Sequence, residues 1–555
     1  MKSDFLVFLV PLALILALVF SPRLRRARVR DRLRTAWGKG APGRTLEKEL
    51  VEDEAAAWRV LSGALPPEDT VDDITWQDLD MDAVFCRLDN CPSVVGSEAL
   101  YAMLRQTGVD SATLQRRQAI IEALRADEEA RLDIQEAARK IGRRHFHGAL
   151  EFLQGARGDD PGPGYWLLAA APFLFLLGGL IDSAFLWGIA LSFCVNLIVH
   201  YRAEIAWSRQ LNAVTHIATV LQAAQQLSRS KAAGIAPEVD ALRGFCARLR
   251  VLRRFSRLCG EADDGRSDPA AIAREYLKIA FLTNILSLRR ASGEIARHAE
   301  DVRALYAAMG ELEALFSAAA LREDGENTCL AAFEDAPGSR FEGLTHPLVS
   351  HPVPNGWAWA KNTLVTGSNA SGKSTFLKAV AVNAILAQTL GICWATSFRL
   401  RRARVMTSMA VRDDVRSGES YFVAELRSLG RILAAAEGPR PLLAFVDEIL
   451  RGTNTIERIA ASASVLHSLE GKDILVLAAT HDIELTRILQ SYANIHFRET
   501  VGEAGVTFDY KLHPGPSRTR NALALLAQMG FGEATVRRAR AMAEHFEQTR
   551  AWETL

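Results

Sequence analysis

The chain has 555 residues, enough for three to four domains at about 150 residues each. Its 66 Lys+Arg and 65 Asp+Glu leave a net charge of +1, which excludes a uniformly polycationic nucleic-acid binder and confines any such surface to a local patch. Seven scattered cysteines exclude a disulfide scaffold and fit a reducing compartment, and the lone Cys86-x4-Cys91 pair has too few partners for a structural zinc.

The hydrophobic share of 49% is that of an average globular protein, but the mean hydropathy of +0.03 is slightly high for a soluble enzyme, and the excess lies in discrete segments. Residues 5–20 are apolar and uncharged, and Arg23, Arg25, Arg26, Arg28, Arg30, Arg32 and Arg34 follow them. A secretory signal carries its charge before the apolar run, so this order predicts an uncleaved anchor with its C-terminal side cytoplasmic. The arginine run also suits contact with anionic lipid. Residues 35–160 are rich in Ala, Leu, Arg and Glu and predict amphipathic helices, one of them over 111–144. Residues 164–199 form two apolar runs of about seventeen residues broken only by Asp182-Ser183, which predicts a transmembrane helical hairpin. Its flanks, Arg139, Lys140, Arg143 and Arg144 before and Arg202 after, put both ends in the cytoplasm. Helical composition resumes over 202–325, with a long helix at 201–227. Pro/Gly punctuation at 335–338 and 352–356 then opens a pattern of β-branched runs alternating with helices. That alternation predicts an α/β domain with a mainly parallel sheet.

The expected segments are a membrane anchor with basic flank at 1–34, a helical region at 35–160, the membrane hairpin at 161–201, a second helical region at 202–325 and the α/β domain at 326–555. The strand expected at Thr363–Thr366 runs into Gly367-Ser368-Asn369-Ala370-Ser371-Gly372-Lys373-Ser374, a complete G-x-x-x-x-G-K-S, and then into a helix beginning near Thr375. Such a loop converges backbone N–H groups and a helix N-terminus on phosphate, with Lys373 on the β/γ-phosphates and Ser374 on Mg²⁺. The expected cofactors are therefore ATP and Mg²⁺. The apolar run 442–446 ends in Asp447-Glu448, where Asp447 suits the metal and Glu448 a catalytic base. A third run, 474–479, ends in Thr480-His481-Asp482, which puts His481 where it can sense the γ-phosphate or position water. Tyr510 and His513 both remain open as residues that stack on adenine.

Together with Ser420-Tyr421-Phe422, Glu425 and the Asp447-to-Thr453 run Asp-Glu-Ile-Leu-Arg-Gly-Thr, these motifs resemble the MutS family of ABC-type ATPases. Thr345-His346-Pro347-Leu348, Val353-Pro354-Asn355 and the 521–540 tail are similar to the same family. Residues 79–105, with Leu88-Asp89 and Gly96, resemble more loosely the start of its helical core. The resemblance implies ATPase sites shared between two subunits, most simply a homodimer, with Ser420 of one facing the γ-phosphate held by the partner's Lys373. It also implies that ATP closes the dimer on DNA, as in mismatch repair. Where mismatch-sensing members of that family carry an N-terminal domain, a membrane anchor is expected here instead, and the Phe-x-Glu tripeptides at 497–499 and 531–533 are expected to be structural.

The first functional expectation is thus a MutS-like ATPase acting on DNA, multi-pass in the cytoplasmic (inner) membrane with its ATPase domain in the cytoplasm. The second is an ATP-driven membrane machine, for transport or envelope signalling, without nucleic acid.

Overall fold

A computed structural model of the chain describes residues 26–38, 48–62, 65–143, 148–155, 162, 164–252, 276–324, 327–368, 371–409, 421–502, 505–517, 530–549 and 551–554. The expected anchor at 5–20, Asn369, Ala370, Ser420 and residues 521–529 of the expected tail lie outside the described residues, while the rest of the tail enters the helix Glu533–Thr549.

The chain divides into two units. One is made of Leu65–Arg87, Met103–Gln118 and Glu326–Leu555. Its strands are β1 Cys329–Leu330, β2 Ala332–Phe333, β3 Ser339–Leu344, β4 Asn355–Trp359, β5 Thr363–Thr366, β6 Ile392–Cys393, β7 Ser397–Leu400, β8 Arg404–Ser408, β9 Leu442–Asp447, β10 Ile474–Ala479, β11 Ala493–Gly502 and β12 Gly505–Pro514. The larger sheet runs β12-β11-β5-β10-β9-β8, and all its neighbours are parallel except β11 and β12, in agreement with the mainly parallel sheet expected.

Strand β9 is apolar up to its last residue, Asp447, and both of its faces are covered. Leu442, Ala444 and Val446 join Leu429, Ile432 and Leu466 from the helices Tyr421–Ala435 and Thr455–Ser468. Phe445 alternates to the other face and meets Trp359 at 5.5 Å. On that face lies the helix Lys373–Thr389, buried along nearly its whole length. The smaller sheet β2-β7-β3-β4 closes over the helix, with Phe341 stacked on Phe398 and 6.1 Å from Phe376.

Two stretches expected in the helical region 35–160 pack into this unit instead, and hydrogen bonding explains why. Strand β8 has a strand neighbour on one side only. Along its open edge the Asp78 carboxylate accepts from the Thr407 hydroxyl (2.7 Å) and the Met409 N–H (3.0 Å), and the Thr75 hydroxyl accepts from the Thr407 N–H (3.2 Å). Arg431 donates to the Thr407 carbonyl at 2.6 Å, so the edge is blunted by side chains. Arg117 likewise donates to the Thr389 carbonyl (2.5 Å) at the end of the phosphate-loop helix.

The other unit, Met1–Ala64, Leu88–Ala102 and Ala119–Gly325, is helical throughout its described residues. The single helix expected over 111–144 is two, Ser111–Ala126 and Glu128–Ala138, because the Asp127 side chain accepts from the Ala130 N–H and starts a new helix. The helix expected over 201–227 is also divided, by Trp207, into Leu186–Ala206 and Ser208–Leu227. The expected hairpin consists of Tyr165–Gly178 and Leu186–Ala206, joined by a short turn in which Asp182 accepts from the Ala184 N–H. The helix Ala299–Glu323 is apolar and long, but 72% of its most hydrophobic stretch is buried, so it serves as the core of this unit. Gly96 and Gly310 let Val94–Arg105 cross it closely: a Cβ on Gly96 would lie 2.6 Å from that of Glu313, and one on Gly310 2.7 Å from that of Ala99.

The helix Leu186–Ala206 has an inverted polarity. Its four buried residues are Ser192, Asn196, His200 and Ala203, while Trp187, Leu191, Ile198 and Ile205 are exposed. The Asn196 amide donates to the carbonyls of Leu168 (3.0 Å) and Ala280 (2.7 Å).

Candidate nucleotide site

The phosphate loop leaves the sheet from β5, between β10 and β11. Gly367 turns the chain at φ +144° directly under β11, where a Cβ would lie 2.9 Å from the Phe497 carbonyl oxygen. Gly372, at φ +104°, starts the helix Lys373–Thr389. Both positions need glycine for their backbone angle. Lys373 folds back over the loop, its Nζ donating to the carbonyls of Gly367 (2.9 Å) and Ser368 (2.7 Å) and lying 3.5 Å from His481 Nε2. Burial lowers its pKa, against the opposing pull of Glu448, Asp447 and Glu499. The Ser371 hydroxyl is buried and has no partner among the described residues.

Asp447 ends β9 beside the loop. Burial raises its pKa, partly offset by a hydrogen bond from the Ser374 hydroxyl, and its Oδ1 is buried without a partner among the described residues. An orphaned carboxylate oxygen next to a hydroxyl at the head of a phosphate-binding helix fits a Mg²⁺ ion, with Ser374 and Asp447 as its protein contacts.

Glu448 follows in the left-handed region at φ +53°, its N–H donating to the Ala479 carbonyl at the end of β10. Its Oε1 is 2.7 Å from His481 Nε2, and its other oxygen pairs with Arg451. Burial opposes its charge, but the His481 hydrogen bond and the charges of His481, Arg451 and Lys373 outweigh that and hold the carboxyl below its ordinary range. The turn is supported by Glu425, which accepts from the Leu450 N–H, and by Phe422, which lies against Gly452.

The structure thus brings together Gly367, Ser368, Ser371, Gly372, Lys373, Ser374 and Thr375 with Asp447, Glu448 and His481. The positions of Asn369, Ala370 and Ser420 are outside the described residues. A cavity of about 470 Å³ opens over Lys373 and Ser374, lined by His346, Val353, Phe376, Glu448 and Tyr510. Burial and the nearby Lys378 push the His346 pKa down to about 4, so its imidazole is neutral. Of the two candidates for stacking on a base, Tyr510 lines this cavity, whereas His513 is 2.8 Å from Asp509 and packs on His496. One residue is added to the expected set. Glu499, buried at a bulge in β11, accepts from the Ser368 hydroxyl and supports the loop from below. Its only sign in the sequence is the Phe497-Arg498-Glu499 tripeptide, expected to be purely structural.

Residues 363–547 match the family model of MutS domain V. The chain is 32% identical over 262 residues to "DNA mismatch repair protein MutS 2" of Halobacterium salinarum, an overlap of 45% of this chain and 30% of that protein. It is 30% identical over 317 residues to "DNA mismatch repair protein MutS" of Natronomonas pharaonis, 55% of this chain and 36% of that one. The protein of the same name from Thermus aquaticus is 32% identical over 205 residues, 36% and 25% of the respective chains. The chain therefore spans little more than a third, at most, of these relatives. The likeness is thus to MutS domain V over the segment that carries the nucleotide site, and to part of these MutS-named proteins.

Proposed function

We propose that the protein binds ATP with Mg²⁺, hydrolyses it, and acts as a nucleotide-switched homodimer on DNA while attached to the cytoplasmic membrane. One observation carries the ATPase reading: a phosphate loop, an orphaned metal-type carboxylate and a carboxylate base converge within one short arc of loops. Lys373 exchanges its bonds to the Gly367 and Ser368 carbonyls for β/γ-phosphate oxygens. Glu448, held ionised, takes the proton of the attacking water, and His481 orients it while touching Lys373. Ser374 and Asp447 would hold Mg²⁺, which would supply neutralisation of the phosphate charge.

The relatives named for DNA mismatch repair support DNA as the partner, and the MutS-type motif around Ser420 supports a shared dimer site. Mismatch sensing through the first Phe-x-Glu tripeptide is disfavoured, since Phe497 and Glu499 are buried against the phosphate loop. The inverted polarity of Leu186–Ala206 supports membrane attachment. A soluble helix buries its apolar side, whereas a spanning helix turns that side to lipid and satisfies its polar groups internally. The same inversion favours the second reading, a membrane machine without nucleic acid.

The test is hydrolysis by the detergent-solubilised chain with plain, mismatched and branched duplexes over a salt series, alongside alkaline-carbonate extraction of membranes. DNA-stimulated activity that weakens with salt, in a chain that resists extraction, is expected. Activity indifferent to every DNA selects the membrane machine, and extraction by carbonate overturns the attachment.

A further inference from the structure

Among its described residues, 26–34, the arginine run divides into two faces once folded. Arg26, Arg30 and Arg34 recur every fourth residue along the helix 26–36 and meet the acidic face of Glu128–Ala138. Arg26 pairs with Glu136 at 2.7 Å, Arg30 with Asp133 at 2.9 Å, and Arg34 with Glu128 at 2.6 Å. Those three arginines are therefore engaged within the protein, leaving Arg28 and Arg32 exposed.

Beside this ladder lies a cleft of about 1120 Å³. Five cations line it, Arg26, Arg139, Lys140, Arg229 and Lys231, against the two carboxylates Asp133 and Glu136, a local excess of +3. Both carboxylates are already occupied, Glu136 by Arg26 and Asp133 by Arg30 and the Ser230 hydroxyl. Arg139, Lys140, Arg229 and Lys231 show no ion pair among the described residues. The cleft thus concentrates uncompensated positive charge, with the Gln225 and Gln226 amides as further donors.

Two of its walls come from segments that the sequence is expected to keep on the cytoplasmic side of a membrane. Arg26 is six residues past the apolar run, within about 20 Å of extended chain, and Arg139-Lys140 precede the hairpin. We propose that this cleft binds the phosphate headgroup of an anionic phospholipid and seats the helical unit on the inner leaflet. The proposal rests on the membrane attachment above and is independent of the ATPase reading.

The full chain in neutral detergent is titrated with dioleoylphosphatidylglycerol or dioleoylphosphatidylcholine in mixed micelles, and bound lipid is counted by native mass spectrometry. The combined variant Arg139→Gln, Lys140→Gln, Arg229→Gln, Lys231→Gln is compared with Arg28→Gln, Arg32→Gln. Retention of phosphatidylglycerol over phosphatidylcholine is expected, weakened roughly a hundredfold in the first variant and little changed in the second. Equal retention of the two lipids, or undiminished binding by the first variant, overturns the proposal. Hydrogen exchange on the wild type guards against misfolding of the variant: phosphatidylglycerol should protect 222–231, and protection there by a 20-base-pair duplex instead overturns it. Carbonate extraction reports the attachment itself, so its failure is distinguishable from failure of the cleft.

Discussion

Glu448 is held by His481 on one oxygen and Arg451 on the other, in a backbone conformation that non-glycine residues seldom adopt. Because its pKa is depressed, it stays ionised across pH 5–8, so the activity of the wild type should show no acid limb from this group in that window, as a pH–rate profile will tell. Replacing Glu448 with Gln should lower hydrolysis by about 10²- to 10⁴-fold while nucleotide still binds, measured by single-turnover hydrolysis beside equilibrium binding. Glu499→Gln leaves Ser368 a weaker acceptor under the loop, and we expect KM for ATP to rise several-fold with kcat less affected. The phosphate loop and the two acids were legible in the sequence because their chemistry demands fixed neighbours along the chain. Glu499 was not, since its contact with Ser368 spans 131 residues and arises from a strand bulge.

At the scale of elements, β5, β9 and β10 fall where their apolar runs put them, because a strand covered on both faces leaves an unbroken signal. Helix ends were harder to place. Asp127 reads as one more polar residue until its side chain is seen capping the next helix, and Trp207 breaks a helix that composition would continue. The covering of the β8 edge by Thr75 and Asp78 was illegible, being a long-range pairing of side chain with backbone. Asp78→Ala strips the Thr407 hydroxyl and the Met409 N–H of an acceptor and should cost roughly 2–4 kcal/mol, seen as a lower denaturation midpoint. In the helical unit, burial raises the Glu98 pKa to about 7 and that of Glu313 to about 8. Both bind protons more tightly folded than unfolded, so their contribution is full below about pH 4.5 and is lost as pH rises through 7–8. Thermal unfolding from pH 5 to 9 should show this decline, and Glu313→Gln should flatten it.

For the whole molecule, the nucleotide site was legible at its core and the cleft beside the arginine ladder was not. Arginines in the sequence carry no mark of which face an acidic helix will claim. The Arg34–Glu128 pair, exposed on both sides, is the salt-sensitive end of the ladder, while the pairs of Arg26 with Glu136 and Arg30 with Asp133, partly buried, are screened less.

Hydrolysis of ATP by the purified chain, wild type beside Glu448→Gln, with and without Mg²⁺, decides whether the converged loop, carboxylates and imidazole form an ATPase. Mg²⁺-dependent turnover in the wild type and its loss in a variant that still binds ATP is the predicted result. Equal turnover in both proteins, or a wild type that binds no ATP, would contradict it.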